Sequence, residues 1–374
     1  MINILYLIDH IWDSNGGTEG QLLMLMRGLD RQKYNVHLIC LKETPWSKTS
    51  KVDFPMTVLH LHKLFTPAVI PHIIFFRKYC RKHQIDIIQT YFNDSLIFGV
   101  IAGHLAGVKS IIASRRNLGP GFWGRKSLLY AFKWLKGLVT RYMTNSQATK
   151  ESIVEHEGIE PGKIDVIYNG LDLSRFSMIN NGMRAEKRRE LGLDDGQVLI
   201  GMVAHLRKEK NISLFAEAAH KLSSKYPQAR FMVLGEGVHR EEIEKDIDRL
   251  KLGKIFELPG SIRDIVPHLA AMDIACLTSQ GESFSNSVIE YQAAGLPVVA
   301  TAVGGNVEAV IDKDFLFPID NLDALVSSLS RLIDDVELRH RIGTEGKLVS
   351  QQKYSIEKMV SEHEALYAKC LETS

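Results

Sequence analysis

Residues 281–301 read GESFSNSVIEYQAAGLPVVAT: a polar loop, a helix-period segment and a continuous apolar run. Gly295 fits a helix C-terminus, and Pro297 with VVAT reads as exit into a buried strand. An apolar run without alternation is buried on both faces, as strands of a parallel sheet covered by helices are. The same unit recurs along the chain. INILYLI, VHLICL, TVLHL, IDIIQTY, SIIAS and KIDVIY occupy the first half, and QVLIGMVA, RFMVLG, IFELPG, DIACLTS and LPVVAT the second, with helical segments between them. Such alternation, twice over, predicts two α/β domains of doubly wound type. The opening stretch also sets Glu282 and Glu290 eight residues apart. Ser287 and Glu290 fit S-x-x-E, a capping box at a helix start, which would occupy Glu290 and leave Glu282 without a role.

A chain of 374 residues exceeds one ordinary core. The boundary is placed at 172/173, with YNGLDLSRFSMINNGMRAEKRRELGLDDGQ as the linker region. Near the end, Ile356, Met359, Val360, His363 and Tyr367 recur at helical spacing and predict a closing amphipathic helix. No apolar run reaches the roughly 18 residues of a membrane span. The first residues lack a basic n-region and meet Asp9 early, so they read as a buried strand and not a signal peptide. Cys40, Cys80, Cys276 and Cys370 are scattered without metal-type spacing, which predicts reduced thiols in a cytoplasmic protein. Charge is uneven: residues 1–172 hold 21 Lys and Arg against 14 Asp and Glu, the remainder 25 against 30. A basic front half suits an anionic acceptor or an anionic membrane surface, and no nucleic-acid recognition motif accompanies it.

Ligands of doubly wound sheets bind beyond the carboxyl ends of the strands, so the loops there carry the chemistry. After the first strand come Gly16 and Gly17, which let a backbone approach a phosphate closely or simply make a turn. They do not form the G-x-G-x-x-G of a dinucleotide fold. After QVLIGMVA come His205, Arg207 and Lys210, where Lys as a point charge and Arg as a fork suit a diphosphate. A solvated charge run is the plainer alternative. His104 sits in an apolar helix pattern that predicts packing in the core.

Taken in order, NGGTEGQL, NSQATKESI, VIYNGLDLSRF, VAHLRKEKN, VLGEG and ELPGSIRDIVPHLAAMDIACLTS, followed by the opening stretch and GGNVE, resemble family 4 of the retaining glycosyltransferases over nearly the whole chain. The resemblance implies the GT-B fold: two facing Rossmann-like, doubly wound parallel-sheet domains, with the closing helix (about 354–371) returning to pack on the N-terminal domain. It implies a metal-independent transfer from a nucleotide-sugar, with uridine the expected base, to a saccharide or lipid-linked acceptor in cell-surface polysaccharide or glycolipid assembly. No cofactor is expected. Glu282 then lies beside the donor sugar and the reacting centre, and Glu290 holds the ribose hydroxyls. Lys210, Arg207, Gly16, Gly17 and the helix start over Ser283, Phe284, Ser285 and Asn286 would meet the diphosphate, with Ile262 near the base.

The sequence departs from the family pattern in three places, one of them Asn211, which stands where the family often has glycine after the lysine. His205 replaces the usual arginine of the phosphate loop, with Arg207 as its proposed substitute. The histidine that many members carry after the strand matching SIIAS is absent, and Arg116 falls at about that place. A guanidinium is no base at neutral pH, but it neutralises a leaving phosphate. Two other classes are alternatives: a non-catalytic sugar-nucleotide-binding partner protein, which the replaced histidine motivates, and a non-hydrolysing nucleotide-sugar epimerase, which shares the fold but should show a different acidic and histidine constellation. Residues 125–143 carry Arg125, Lys126, Lys133, Lys136 and Arg141 beside a stripe of Leu128, Leu129, Phe132, Leu135 and Val139. That segment predicts weak association with an anionic membrane, peripheral at its inner face, unless the stripe packs on the N-terminal sheet.

Overall fold

The computed structural model describes residues 1–14, 17–119 and 126–372, so Gly16 and Arg125 lie outside the described residues. Residues 1–170 with 356–374 form one unit, and residues 171–355 form a second.

The first unit is a seven-stranded parallel sheet: β1 (Ile2–Ile8), β2 (Tyr34–Cys40), β3 (Met56–Val58), β4 (Ile87–Tyr91), β5 (Ser110–Arg115), β6 (Arg141–Thr144) and β7 (Ile164–Val166). Their order is β3-β2-β1-β4-β5-β6-β7. The direction of winding reverses between β1 and β4, and there the loops diverge and leave a crevice. β1 is buried on both faces, which is why INILYLI shows no alternation. Helix α1 (Gly17–Gly28) lies on one side of the sheet. Helices α2 (Val69–Lys82), α3 (Asn93–Ala106) and α4 (Lys126–Leu135) lie on the other, with α3 packed between α2 and α4.

The second unit repeats the pattern with β8 (Val198–Val203), β9 (Ala229–Leu234), β10 (Phe256–Gly260), β11 (Ile274–Leu277), β12 (Val298–Thr301) and β13 (Leu316–Phe317), ordered β10-β9-β8-β11-β12-β13. Its reversal falls between β8 and β11. Helices α5 (Ile212–Ser223) and α6 (Asn286–Ala293) follow β8 and β11.

Helix α7 (Ile356–Glu372) belongs to the first unit. Its Tyr367 hydroxyl bonds Tyr6 at 2.8 Å and donates to Gln89 Oε1 at 2.7 Å, all within the core.

Three expectations are corrected. The stretch after Tyr168 is no linker: helices Leu173–Ser177 and Asn181–Glu190 belong to the second unit. Arg184 and Arg188, one turn apart, clamp Asp273 at 2.6 and 3.1 Å. A polar helix held by buried ion pairs carries no apolar stripe, so periodicity misses it. The stripe of 125–143 is not one helix either. Helix α4 ends at Leu135, and Arg141–Thr144 forms β6, where β-branched Val139 and Thr140 favour extension. Phe132 and Val139 are buried and Leu128 and Leu135 pack beside them, so the stripe is core. Finally, His104 is exposed, because α3 turns Ile101, His104 and Leu105 outward.

Candidate active site

In the second unit the two loops at the reversal point meet. After β8 the chain runs through His205 and Arg207 into a short 3-10 turn, Lys208–Lys210, and Asn211 takes a left-handed conformation (φ 49°) before α5. After β11, buried Thr278 donates to the carbonyls of Lys210 and Asn211, both at 2.9 Å, and Gln280 N donates to Glu209 O at 2.8 Å. This lacing brings the Lys210 ammonium onto the Glu282 carboxylate, which is only 11% exposed. One cation and one carboxylate thus face each other across the crevice that doubly wound sheets use for ligands.

The helix that follows is anchored rather than boxed. Ser285 is the N-cap of α6, its hydroxyl accepting from Val288 N at 3.4 Å. Ser287 donates to Val203 O at 2.8 Å, and the Tyr291 hydroxyl accepts from Val203 N at 2.5 Å, so α6 is pinned to the end of β8. Ser287 therefore does not pair with Glu290, and the capping box is not formed. Burial pushes the Glu290 carboxyl up to about 7, against the nearby Arg175 charge, which pulls it down. Phe284 is buried with its ring 5.5 Å from that of Tyr354, and Ser283 takes its place in the same loop. Gly305 N donates to Glu282 O at 3.1 Å, and a Cβ on Gly305 would lie 2.2 Å from Ser283 O. Two neighbouring glycines are as constrained: a Cβ on Gly235 would meet Ala204 O at 1.9 Å, and one on Gly237 would meet Leu206 O at 2.4 Å.

The other predicted residues of this unit are less drawn together. Asn286 opens α6 beside Ser285. His205 is exposed, and the Arg207 guanidinium, also exposed, lies 4.0 Å from Glu209. Ile262 follows β10, two strands out from β8, and is half-buried.

In the first unit a cleft of about 90 Å³ opens at the reversal point, lined by Thr18, Phe92, Asn93, Ser114, Arg116 and Asn117. Gly17 begins α1 beside it. Phe92, between β4 and α3, has φ 70° and ψ −177°, a backbone region that glycine ordinarily occupies. Arg116 donates to Asn169 Oδ1 at 2.5 Å, and burial lowers its guanidinium to about 10, so it stays cationic at neutral pH. Its neighbour Arg115 is committed elsewhere, in a buried two-bond pair with Glu157 at 2.6 and 2.7 Å.

Residues 15–175 match the family model described as Glycosyltransferase Family 4, and residues 183–349 match that of Glycosyl transferases group 1. The chain belongs to the family 4 glycosyltransferases. It is 28% identical to the Escherichia coli UDP-Gal:alpha-D-GlcNAc-diphosphoundecaprenol alpha-1,3-galactosyltransferase, over 84% of this chain and 87% of that one. It is 26% identical to the Campylobacter jejuni N-acetylgalactosamine-N,N'-diacetylbacillosaminyl-diphospho-undecaprenol 4-alpha-N-acetylgalactosaminyltransferase, over 87% and 89%. Among solved structures, Anabaena HepE in complex with UDP superposes with a TM-score of 0.87 at 20% identity, covering 98% of this chain and all of that one. The fold of the glycosyltransferase is accordingly GT-B.

Sequence reasoning missed three residues that build this glycosyltransferase's site. Gln21 brackets Gly170, donating to its carbonyl at 2.7 Å and accepting from its N–H at 2.8 Å, which ties α1 to the YNG turn. Asn169 of that turn holds Arg116. Thr278 holds the lysine loop. All three act through hydrogen bonds between segments far apart in the chain, which leave no local pattern. The one signal was that Gln21, Asn169 and Thr278 each sit inside a stretch that carries the family resemblance.

Proposed function

We propose that the protein is a retaining, metal-independent hexosyltransferase that moves a sugar from a uridine diphosphate donor to a hydroxyl of a lipid-linked saccharide, on the cytoplasmic side of a membrane. The observation that carries this is the Lys210–Glu282 pair across the crevice of the second sheet. A lone carboxylate would repel a diphosphate. Paired, the lysine has somewhere to rest until a diphosphate claims it, and Glu282 is then released to face the sugar and the cationic centre that develops on it. The N-terminus of α6 adds partial positive charge on the same side. Glu290 accepts the ribose hydroxyls. In the transfer, the bond from the anomeric carbon to the diphosphate oxygen breaks as the acceptor oxygen bonds on the same face. The acceptor's proton passes to the departing phosphate oxygen. Lys210 with Arg207 neutralises charge on that phosphate in place of a metal ion. Two relatives named for diphospho-undecaprenol-linked saccharides support the acceptor class, and neighbours crystallised with UDP and UDP-glucose support the base.

The test is incubation of purified protein with UDP-, GDP- and ADP-sugars and a polyprenyl-diphosphate saccharide. We expect UDP release, sugar transfer with the donor's anomeric configuration kept, and no loss of rate with EDTA. Interconversion of the donor sugar would instead identify an epimerase, and binding without turnover a partner protein. An inverted product would overturn retention. Loss of activity in EDTA that a divalent ion restores would overturn metal independence.

A further inference from the structure

Between Phe54 and Val139 the sequence holds twelve Lys and Arg and only two acidic residues, Asp86 and Asp94. Neither offsets the surface charge: Asp86 accepts from Asn3 N at 2.9 Å, and Asp94 pairs with Lys42 at 2.7 Å. Helix α2 buries only Phe76 and Cys80. On its outer side Ile70, Ile74 and Phe75 are exposed in its first half, with Phe65 81% exposed just before it. Arg77, Lys78, Arg81 and Lys82 are exposed on the next turns. Among the described residues, none of these four has an ion-pair partner. Next to α2, α3 shows Ile101 and Leu105, and α4 beyond it shows Tyr130, Lys133 and Trp134, the last 85% exposed.

Helix-dipole complementarity accounts for Arg81 and Lys82 in a last turn. It does not account for isoleucines and aromatic rings set outward beside them. Single exposed apolar side chains are ordinary, but several on three adjacent helices, ringed by unpaired cations, form a patch. Polyanions such as nucleic acid satisfy the charge and leave the apolar tips wet. An anionic bilayer satisfies both, taking the rings and isoleucines at headgroup depth and the ammonium and guanidinium groups at the phosphates.

We propose that the outer face of α2, α3 and α4 docks the protein on a membrane of anionic phospholipid, with Phe65, Ile70, Ile74 and Trp134 as the inserting tips. The inference rests on this surface and not on the transferase reading, and either can fail without the other.

The test is flotation of the full chain with vesicles of phosphatidylglycerol and phosphatidylcholine, or phosphatidylcholine alone, at low and high salt. We expect binding to the anionic vesicles only, released by salt, with a blue shift of tryptophan emission. Lys78→Glu/Arg81→Glu/Lys82→Glu should lower partitioning at least ~100-fold, at about 1 kcal/mol for each charge near the surface. Ile74→Ser/Trp134→Ser should weaken binding and abolish the blue shift. Thermal midpoint and UDP affinity should be unchanged in both, which separates a docking defect from misfolding or loss of the donor site. Equal binding to neutral vesicles, no binding to anionic ones, or full binding by the triple variant would overturn the proposal. So would dimers in light scattering that Ile74→Ser dissolves, since a second copy would then cover the patch. Binding to heparin as tight as to vesicles, and indifferent to Ile74→Ser/Trp134→Ser, would mark a polyanion site instead.

Discussion

Glu282 and Lys210 are each other's nearest counter-charge, so removing either changes two things at once. Lys210→Ala leaves a largely buried carboxylate unpaired, and should lower stability on the order of 1–3 kcal/mol besides weakening diphosphate binding. Lys210→Ala/Glu282→Gln should regain the lost thermal midpoint and stay inactive. If it does not regain it, the pair is not what the loop relies on. Glu282→Gln alone should cut kcat by orders of magnitude and leave donor affinity within about tenfold, because a charge beside the reacting carbon matters most in the transition state. Donor affinity that collapses while saturated turnover is kept would remove Glu282 from that place. Glu290 gives a pH signature. Its carboxyl, pushed up to about 7, is neutral where an exposed one is charged, so the free protein should lose stability as pH rises from the ordinary glutamate range through about 7. Hydroxyl donors favour the ionised form. Affinity for a nucleotide-sugar should therefore rise across the same interval, and Glu290→Gln should flatten both profiles in calorimetry and thermal melts. An unchanged binding profile in that variant would assign the titration elsewhere.

At the scale of elements, the site is a set of backbones held close by glycine and hydroxyl. Gly305→Ala would drive a methyl group into the Ser283 carbonyl and displace the Glu282 loop. We expect overpacking of about 1–3 kcal/mol in urea melts and a fall in kcat. Full activity would show that the loop tolerates the shift. What the sequence made legible follows the same line. β1 and β8 were readable because both faces are buried, and the residues after β8 and β11 because ligand chemistry collects at those strand ends. The two-residue β13 is too short for any period. Helix Asn181–Glu190 hid behind its charge, since Arg188 is buried only by virtue of Asp273, eighty-five residues on. Ser287 and Glu290 show the opposite failure, a correct local motif overruled when Val203 took the serine.

Over the whole molecule, the first unit is completed by the last helix. Tyr367 closes a buried chain of hydrogen bonds with Tyr6 and Gln89. Tyr367→Phe should cost on the order of 1–3 kcal/mol, through partners left unsatisfied. Removing residues 356–374 should unfold the first unit and spare the second, visible as a protease-resistant fragment near 171–355. A truncated chain that melts like the full one would mean the helix is only appended. The interposed second unit enters and leaves at one point, where Leu171 N donates to Tyr354 O at 2.7 Å and Leu171 pairs with Ser355.

That arrangement sets a timetable during synthesis. Domains usually form in the order in which they leave the ribosome. Here the second unit has all its residues out before the first has its closing helix. The earlier half must wait, with the pocket around Tyr6 and Tyr34 uncapped, while the later half assembles on the nascent chain. The interval between Gly170 and Ile356 is when the polypeptide is most open to chaperones and proteases, and a premature stop early in the seventeen codons of α7 would strand it there.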